Sequence, residues 1–96
     1  MTEQDLLDTL NAKQHAVETF SQDGWKCEQG GLPYSAMRLY RESLLACITC
    51  IGYTHELVDK TATSEFLELA TQRIDDLKRI NNSLRTDYDK EIKTDE

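Results

Sequence analysis

Apolar residues recur at helical spacing along nearly the whole chain, and the recurrence breaks twice. In the first stretch Leu6, Leu10, Val17, Phe20, Gly24 and Cys27 fall at steps of three, four or seven. Ala12 and Ala16 widen this stripe, and Lys13 interrupts it with a side chain long enough to snorkel. The pattern predicts a helix over 2–29, capped by Thr2 or Asp5 and stopped at Gly30-Gly31. Pro33 suits a first helical turn and opens a second predicted helix over 33–54, which ends near Gly52 to His55. One stripe on it is Ala36, Tyr40, Ser43, Cys47 and Cys50, and an adjacent one is Met37, Leu44, Ile48 and Ile51. A helix apolar over most of its circumference belongs between two partners. The third predicted helix covers 56–92. Along it Thr63, Leu67, Ala70, Ile74, Leu77, Asn81, Leu84 and Tyr88 alternate steps of four and three, the spacing of a heptad seam. At about 1.5 Å per residue it runs roughly 50 Å, more than the second helix can cover. Its last turns, from about Thr86, are expected to fray or project, with 93–96 as a polar tail or linker.

Nothing in the pattern reads as a paired strand, and no segment repeats. With two short connections, the expected fold class is all-α: an antiparallel three-helix bundle with a long third helix, forming one domain over 1–92. A length of 96 residues limits it to a modest core. Eighteen carboxylates against eleven Lys and Arg give a net charge of -7. That balance argues against nucleic acid and anionic membrane as direct ligands, and it suits a basic partner as well as plain solubility. The longest largely apolar run, Leu44 to Gly52, is too short to span a bilayer. The acidic start from Met1 to Asp5 does not resemble a secretory signal. Three cysteines cannot form a self-contained disulfide set, so reduced thiols in the cytosol are expected.

Candidate chemistry is sparse. Cys47-Ile-Thr-Cys50 is a C-x-x-C, but it lies within a helix among isoleucines and alanine rather than at a helix start after a strand. A zinc site needs about four ligands, and the remaining Cys27, His15 and His55 have no paired spacing. Gly30-Gly31 ends a helix, unlike a phosphate-binding loop. Asp75-Asp76, Asp87 and Asp89 suit a solvated face. No enzyme, cofactor or metal site is expected. More telling are the flanks of the third helix. Phe66, Leu69, Arg73 and Ile80 form a largely apolar one, and Ser64, Glu68, Thr71, Asp75 and Lys78 a polar one. An apolar flank widens a core, or it outruns its partners and lines a groove for an amphipathic helix. Trp25, beside the first stripe, is either an anchor at such a groove or a lid on the core.

Two motifs carry a family resemblance. Gly24 and Glu28 lead through Gly31 to Ala36 and Tyr40, and later comes Arg73-Ile74-Asp75-Asp76-Leu77-Lys78. In that order the chain resembles the MIT (microtubule-interacting and trafficking) domain over about residues 12–84. Gly24 stands where the family usually has alanine, Pro33 where an aromatic is common, and Thr71 where leucine is frequent. The resemblance implies a non-catalytic, monomeric domain that binds short helical C-terminal motifs of ESCRT-III-type filament subunits. Such a domain recruits a larger protein, such as an AAA ATPase or a kinase, from the cytoplasm to endosomal or midbody membranes. It further implies two grooves. Between the first and third helices lie Ser21, Trp25, Phe66, Leu69, Arg73, Asp76 and Ile80, the expected principal site for a basic or amphipathic helical peptide. Between the second and third lie Arg41, Leu44, Ile48, Glu68, Thr71 and Asp75, the expected secondary site, weakened by Thr71. Glu28, Asp75 and Asp76 would meet basic residues of the ligand. The alternatives are a tetratricopeptide-like or other helical adaptor, a subunit oligomerising through its third helix and, least favoured, a redox protein acting through Cys47 and Cys50.

Overall fold

A computed structural model describes the backbone of residues 2–94 and side-chain surroundings through Asp87. Three helices follow one another: α1 (Glu3–Gln29), α2 (Pro33–Glu56) and α3 (Lys60–Thr94). Both connections are three residues long, so neighbouring helices run antiparallel. The central α2 lies close against both α1 and α3, whereas the backbones of α1 and α3 are set further apart and meet through side chains of the shared core. The result is the three-helix bundle that the apolar pattern predicts. The long helix α3 gives it an extent of 62 × 21 × 18 Å. The tail expected at 93–96 is helical through Thr94, and its last two residues lie outside the described part, as does the Tyr88 side chain.

The helix ends follow from local chemistry. The Thr2 hydroxyl accepts from the Asp5 N–H at 3.2 Å, and the Asp5 carboxylate accepts from the Thr2 N–H at 3.2 Å. The two candidate caps therefore form one capping box. At the other end of α1, Leu32 N–H donates to the Cys27 carbonyl at 2.9 Å and Gly31 N–H to Glu28 at 3.2 Å. This Schellman turn places Gly31 at φ 76°, where a glycine carries no Cβ penalty. α2 ends in the same motif, with Asp59 N–H on Thr54 and Val58 N–H on His55. Here the left-handed residue is Val58, at φ 58°. Without a glycine to mark the stop, the sequence suggests an end too early. Gly52 lies inside α2, and α3 begins at Lys60 rather than Glu56. The Asp59 carboxylate starts α3 by accepting from the Ala62 N–H at 3.0 Å.

The heptad seam expected on α3 is buried only in part: Ala70, Leu77 and Leu84 pack into the core, but Leu67 and Ile74 between them do not. Leu67 is 52% exposed and Ile74 40%, whereas Phe66 and Ile80 are 6% and 3% exposed. The core stripe is Phe66, Ala70, Arg73, Leu77, Ile80 and Leu84, which also alternates four and three. Two heptad registers thus lie side by side, and the buried one contains an arginine. Phe66 and Ala70 pack with Val17, Ala46, Cys47 and Cys50. Ile80 packs with Ala36 and Tyr40, near Leu77 and Leu84.

α1 and α2 approach closely at two points. The fully buried Ser43 hydroxyl donates to the Val17 carbonyl at 2.8 Å. The Tyr40 ring lies flat on Gly24, where an added Cβ would come within 2.9 Å of two ring carbons. Glycine costs a helix roughly 1 kcal/mol relative to alanine, and this contact is its physical reason here. Gly52, also helical, has nothing within 4 Å of such a Cβ. Gly24→Ala should therefore lower stability by about 1 kcal/mol net, because overpacking of roughly 1–3 kcal/mol exceeds the propensity gain. Gly52→Ala should raise it by up to about 1 kcal/mol. Urea midpoints of the two variants check the pair, and a stabilised Gly24→Ala would show that the Tyr40 ring is not held in place.

Candidate functional site

Beside the shared core, a polar clasp joins all three helices. Glu28 of α1 sits at its centre. The Tyr40 hydroxyl of α2 donates to Glu28 Oε1 at 2.9 Å. Arg79 of α3 donates through Nη2 to Oε1 at 2.6 Å and through Nε to Oε2 at 3.0 Å, a bidentate pair. Its Nη1 also donates to Asp76 Oδ1 at 2.8 Å. On the other side of Asp76, Arg73 Nε lies 3.1 Å from Oδ2. That approach lies off the hydrogen-bond line, so the pairing is coulombic and the buried Nε has no hydrogen-bond acceptor. The Arg73 guanidinium is held instead 5.7 Å from the centre of the Tyr40 ring, within cation–π range. This is how an arginine occupies a core position of α3.

The charges follow the contacts. Hydrogen bonding from Arg79 outweighs partial burial and holds the Glu28 carboxyl below the ordinary carboxylate range. Burial, assisted by the bond to Glu28, pushes Tyr40 up to about 12. Hydrogen bonds to Glu28 and Asp76 keep Arg79 charged beyond its usual range. Because Arg79 is half exposed, solvent screens part of this energy.

The groove expected between α1 and α3 exists, but its character differs. Ser21, Trp25, Arg73 and Asp76 line a depression of about 430 Å³ together with Gln22, Lys26 and Tyr40. Ser21, Leu69 and Arg73 line an adjoining one of about 210 Å³. Phe66 and Ile80 do not reach either, because α3 is turned so that both fill the core. Polar and charged residues make up most of the lining that remains, with Trp25 exposed at its edge.

A larger groove, about 680 Å³, runs between α2 and α3. Tyr34, Met37, Ile74 and Leu77 form its apolar part, and Arg38, Arg41, Lys78 and Asn81 surround them. Of the residues expected there, only Arg41 lines it. Leu44 packs half-buried against the core, and Ile48 is exposed further along α2. Glu68, Thr71 and Asp75 lie on exposed surface, and the Thr71 hydroxyl donates to its own helix at Leu67. The members missed on α2 are Tyr34, Met37 and Arg38; Tyr34 and Arg38 were visible at steps of four and three from Arg41, on a second stripe of that helix. On α3 they were Ile74, Leu77 and Asn81, which the expected seam assigned to the core. A third hollow, about 390 Å³, lies at the α2–α3 turn around Val58 and Leu67.

Cys47 and Cys50 are fully buried free thiols in α2. Burial raises both, Cys50 to about 11, with the positive charges of Arg73 and Lys13 opposing weakly. Such thiols stay protonated at neutral pH and are poor nucleophiles. Among the described residues no group of three or more His, Cys, Asp and Glu converges on a point, and no helix is long and apolar enough to cross a membrane.

Geometrically, then, the molecule is a three-helix bundle carrying two surface grooves lined by different charges: cations alone in one, cations with Asp76 in the other. No family model matches the chain, and neither a curated protein nor a solved structure matches it.

The depressed Glu28 carboxyl makes a signed prediction. Its contribution should be complete above the unfolded value of about 4.3 and disappear as pH falls through the lower folded value. Glu28→Gln should cost about 1 kcal/mol near neutrality, solvent around Arg79 screening part of the pair, and melting curves of variant and parent should converge in acid. A gap that stays constant down to strongly acidic pH would exclude the clasp as its origin. For the thiols, aromatic disulfide reagents should leave Cys47 and Cys50 unmodified until the fold is denatured. Rapid native-state reaction of either would restore a redox role.

Proposed function

We propose that this chain is a non-catalytic docking domain of the MIT type, which binds a short amphipathic helix from an ESCRT-III-type filament subunit. In this role it brings a larger protein, such as an AAA ATPase or a kinase, to membranes under remodelling at endosomes or the midbody. The carrying observation is the α2/α3 groove, whose apolar wall is the exposed heptad register of α3. Ile74 is 40% and Tyr34 75% exposed around a volume of about 680 Å³. Apolar side chains in a groove between two helices are the usual seat of a partner helix. The motif residues of the resemblance divide in a way that supports the reading. Gly24, Glu28, Tyr40, Arg73 and Asp76 build the clasp that sets the scaffold. Ile74, Leu77 and Lys78 line the groove. The α2/α3 groove thereby replaces the α1/α3 groove as the principal site, since the latter has lost Phe66 and Ile80 to the core.

Binding would proceed without rearrangement of the bundle. The clasp and the buried Ser43–Val17 bond fix α1 on α2, and α2 presents one rigid wall of the groove. Self-association through the exposed Leu67 and Ile74 stripe is the competing use of the same surface. A dimer in sedimentation that ignores added peptide would favour it.

Titration of the isotope-labelled domain with filament tail peptides should shift amides around Met37, Arg41, Ile74 and Leu77. Ile74→Glu should weaken binding at least about tenfold, the effect of removing one partly buried anchor of roughly 1.5 kcal/mol. The variant's helicity should remain near that of the parent. Shifts confined to Ser21, Trp25 and Leu69 would return the site to the α1/α3 groove, and no shift with any tail peptide would remove the reading.

A further inference from the structure

We infer that the α2/α3 groove selects an amphipathic helix bearing acidic side chains beside its apolar anchors, although the chain as a whole is acidic. The inference rests on the docking reading above and adds the chemistry of the ligand. Net charge is -7, but it is unevenly placed. Within α1, Glu3, Asp5, Asp8, Glu18, Asp23 and Glu28 face only Lys13 and Lys26 as counter-charges. The groove is the opposite. Arg38, Arg41 and Lys78 line it, and no carboxylate does.

The state of those cations differs from that of the clasp arginines on α3. Arg73 and Arg79 are engaged by Glu28 and Asp76. Among the described residues, Arg38 and Lys78 have no ion-pair partner. Arg41 has only the exposed Glu42 at 3.5 Å, a pair that contributes little. Three cations converging on one apolar hollow repel one another, and a carboxylate-bearing ligand relieves that repulsion. The apolar line also continues beyond the hollow. Leu45, Ile48 and Leu67 are 49%, 54% and 52% exposed, and Tyr34 to Ile48 spans about 21 Å along α2. An occupant of roughly four turns would rest apolar residues at spacings of three and four along this line. Its acidic residues would cluster at the end over Arg38, Arg41 and Lys78.

Two designed helical peptides of about 18 residues, roughly 27 Å long, test this with the unmodified chain. Both carry the same leucine stripe, one with glutamates flanking it at one end and the other with lysines there. Amide shifts should centre on Met37, Ile74 and Leu77. The glutamate peptide should bind about tenfold or more tightly at low ionic strength, the sum of three exposed ion pairs gained and three repulsions avoided. The advantage should shrink as salt is raised. In the Arg38→Glu, Arg41→Glu, Lys78→Glu triple variant the preference should reverse. All three sites are on exposed surface, and the comparison of peptides on the parent chain decides the matter even if that variant folds poorly. Equal affinity, or tighter binding of the lysine peptide with shifts still at Met37 and Ile74, would overturn the acidic preference and leave the docking reading intact. Binding of neither peptide, or shifts only around Ser21 and Trp25, would overturn both.

Discussion

The Tyr40 side chain is the contact on which the rest of this structure depends. Its ring lies against Gly24 at a distance that admits no Cβ, so α1 and α2 come together at backbone range. Its hydroxyl donates to Glu28 and turns that carboxylate toward α3. Its face receives the Arg73 guanidinium. One residue, 2% exposed, therefore sets the spacing of the first two helices and supplies both surfaces that hold the third. A tyrosine can do this because it combines a large rigid apolar body with a polar tip. The partly buried Glu28–Arg79 pair contributes specificity of register more than net stability, because Arg79 remains half exposed.

The rotation of α3 follows from that arrangement. With Arg73 accepted into the core between Tyr40 and Asp76, the register of Phe66, Ala70, Leu77, Ile80 and Leu84 turns inward. The neighbouring register, with Leu67 and Ile74, is left in solvent. A single choice thus creates the core and the apolar wall of the α2/α3 groove together. It also separates the charges: the cations of the clasp are paired with Glu28 and Asp76, and those of the groove stand open. The different linings of the two grooves thus go with how Arg73 is housed.

Much of the architecture was legible in one dimension, and the failures have local causes. Thr2, Asp5, the glycine pair and Pro33 mark the bounds of α1 and the start of α2, because caps and turns depend on residues adjacent in sequence. The end of α2 was not legible, since Val58 takes the left-handed position that glycine would have announced. On α3 an arginine in the correct seam made the adjacent seam, free of charge at its centre, look like the core. The result places Phe66 and Ile80 on an expected surface and Ile74 in an expected interior, the reverse of their positions in the bundle. Gly24 likewise looked like a weakness of α1 until the Tyr40 ring was found resting on it.

The sequence by itself determined the number of helices, their approximate lengths, their antiparallel order and the apolar character of α2, because these depend on periodicity and on capping chemistry along the chain. Only the tertiary structure decided which face of α3 is buried. Two registers of equal spacing compete there, and the choice between them is made by partners distant in sequence: Tyr40 and Glu28 offer the partly buried Arg73 and the half-exposed Arg79 compensating contacts that no local pattern contains.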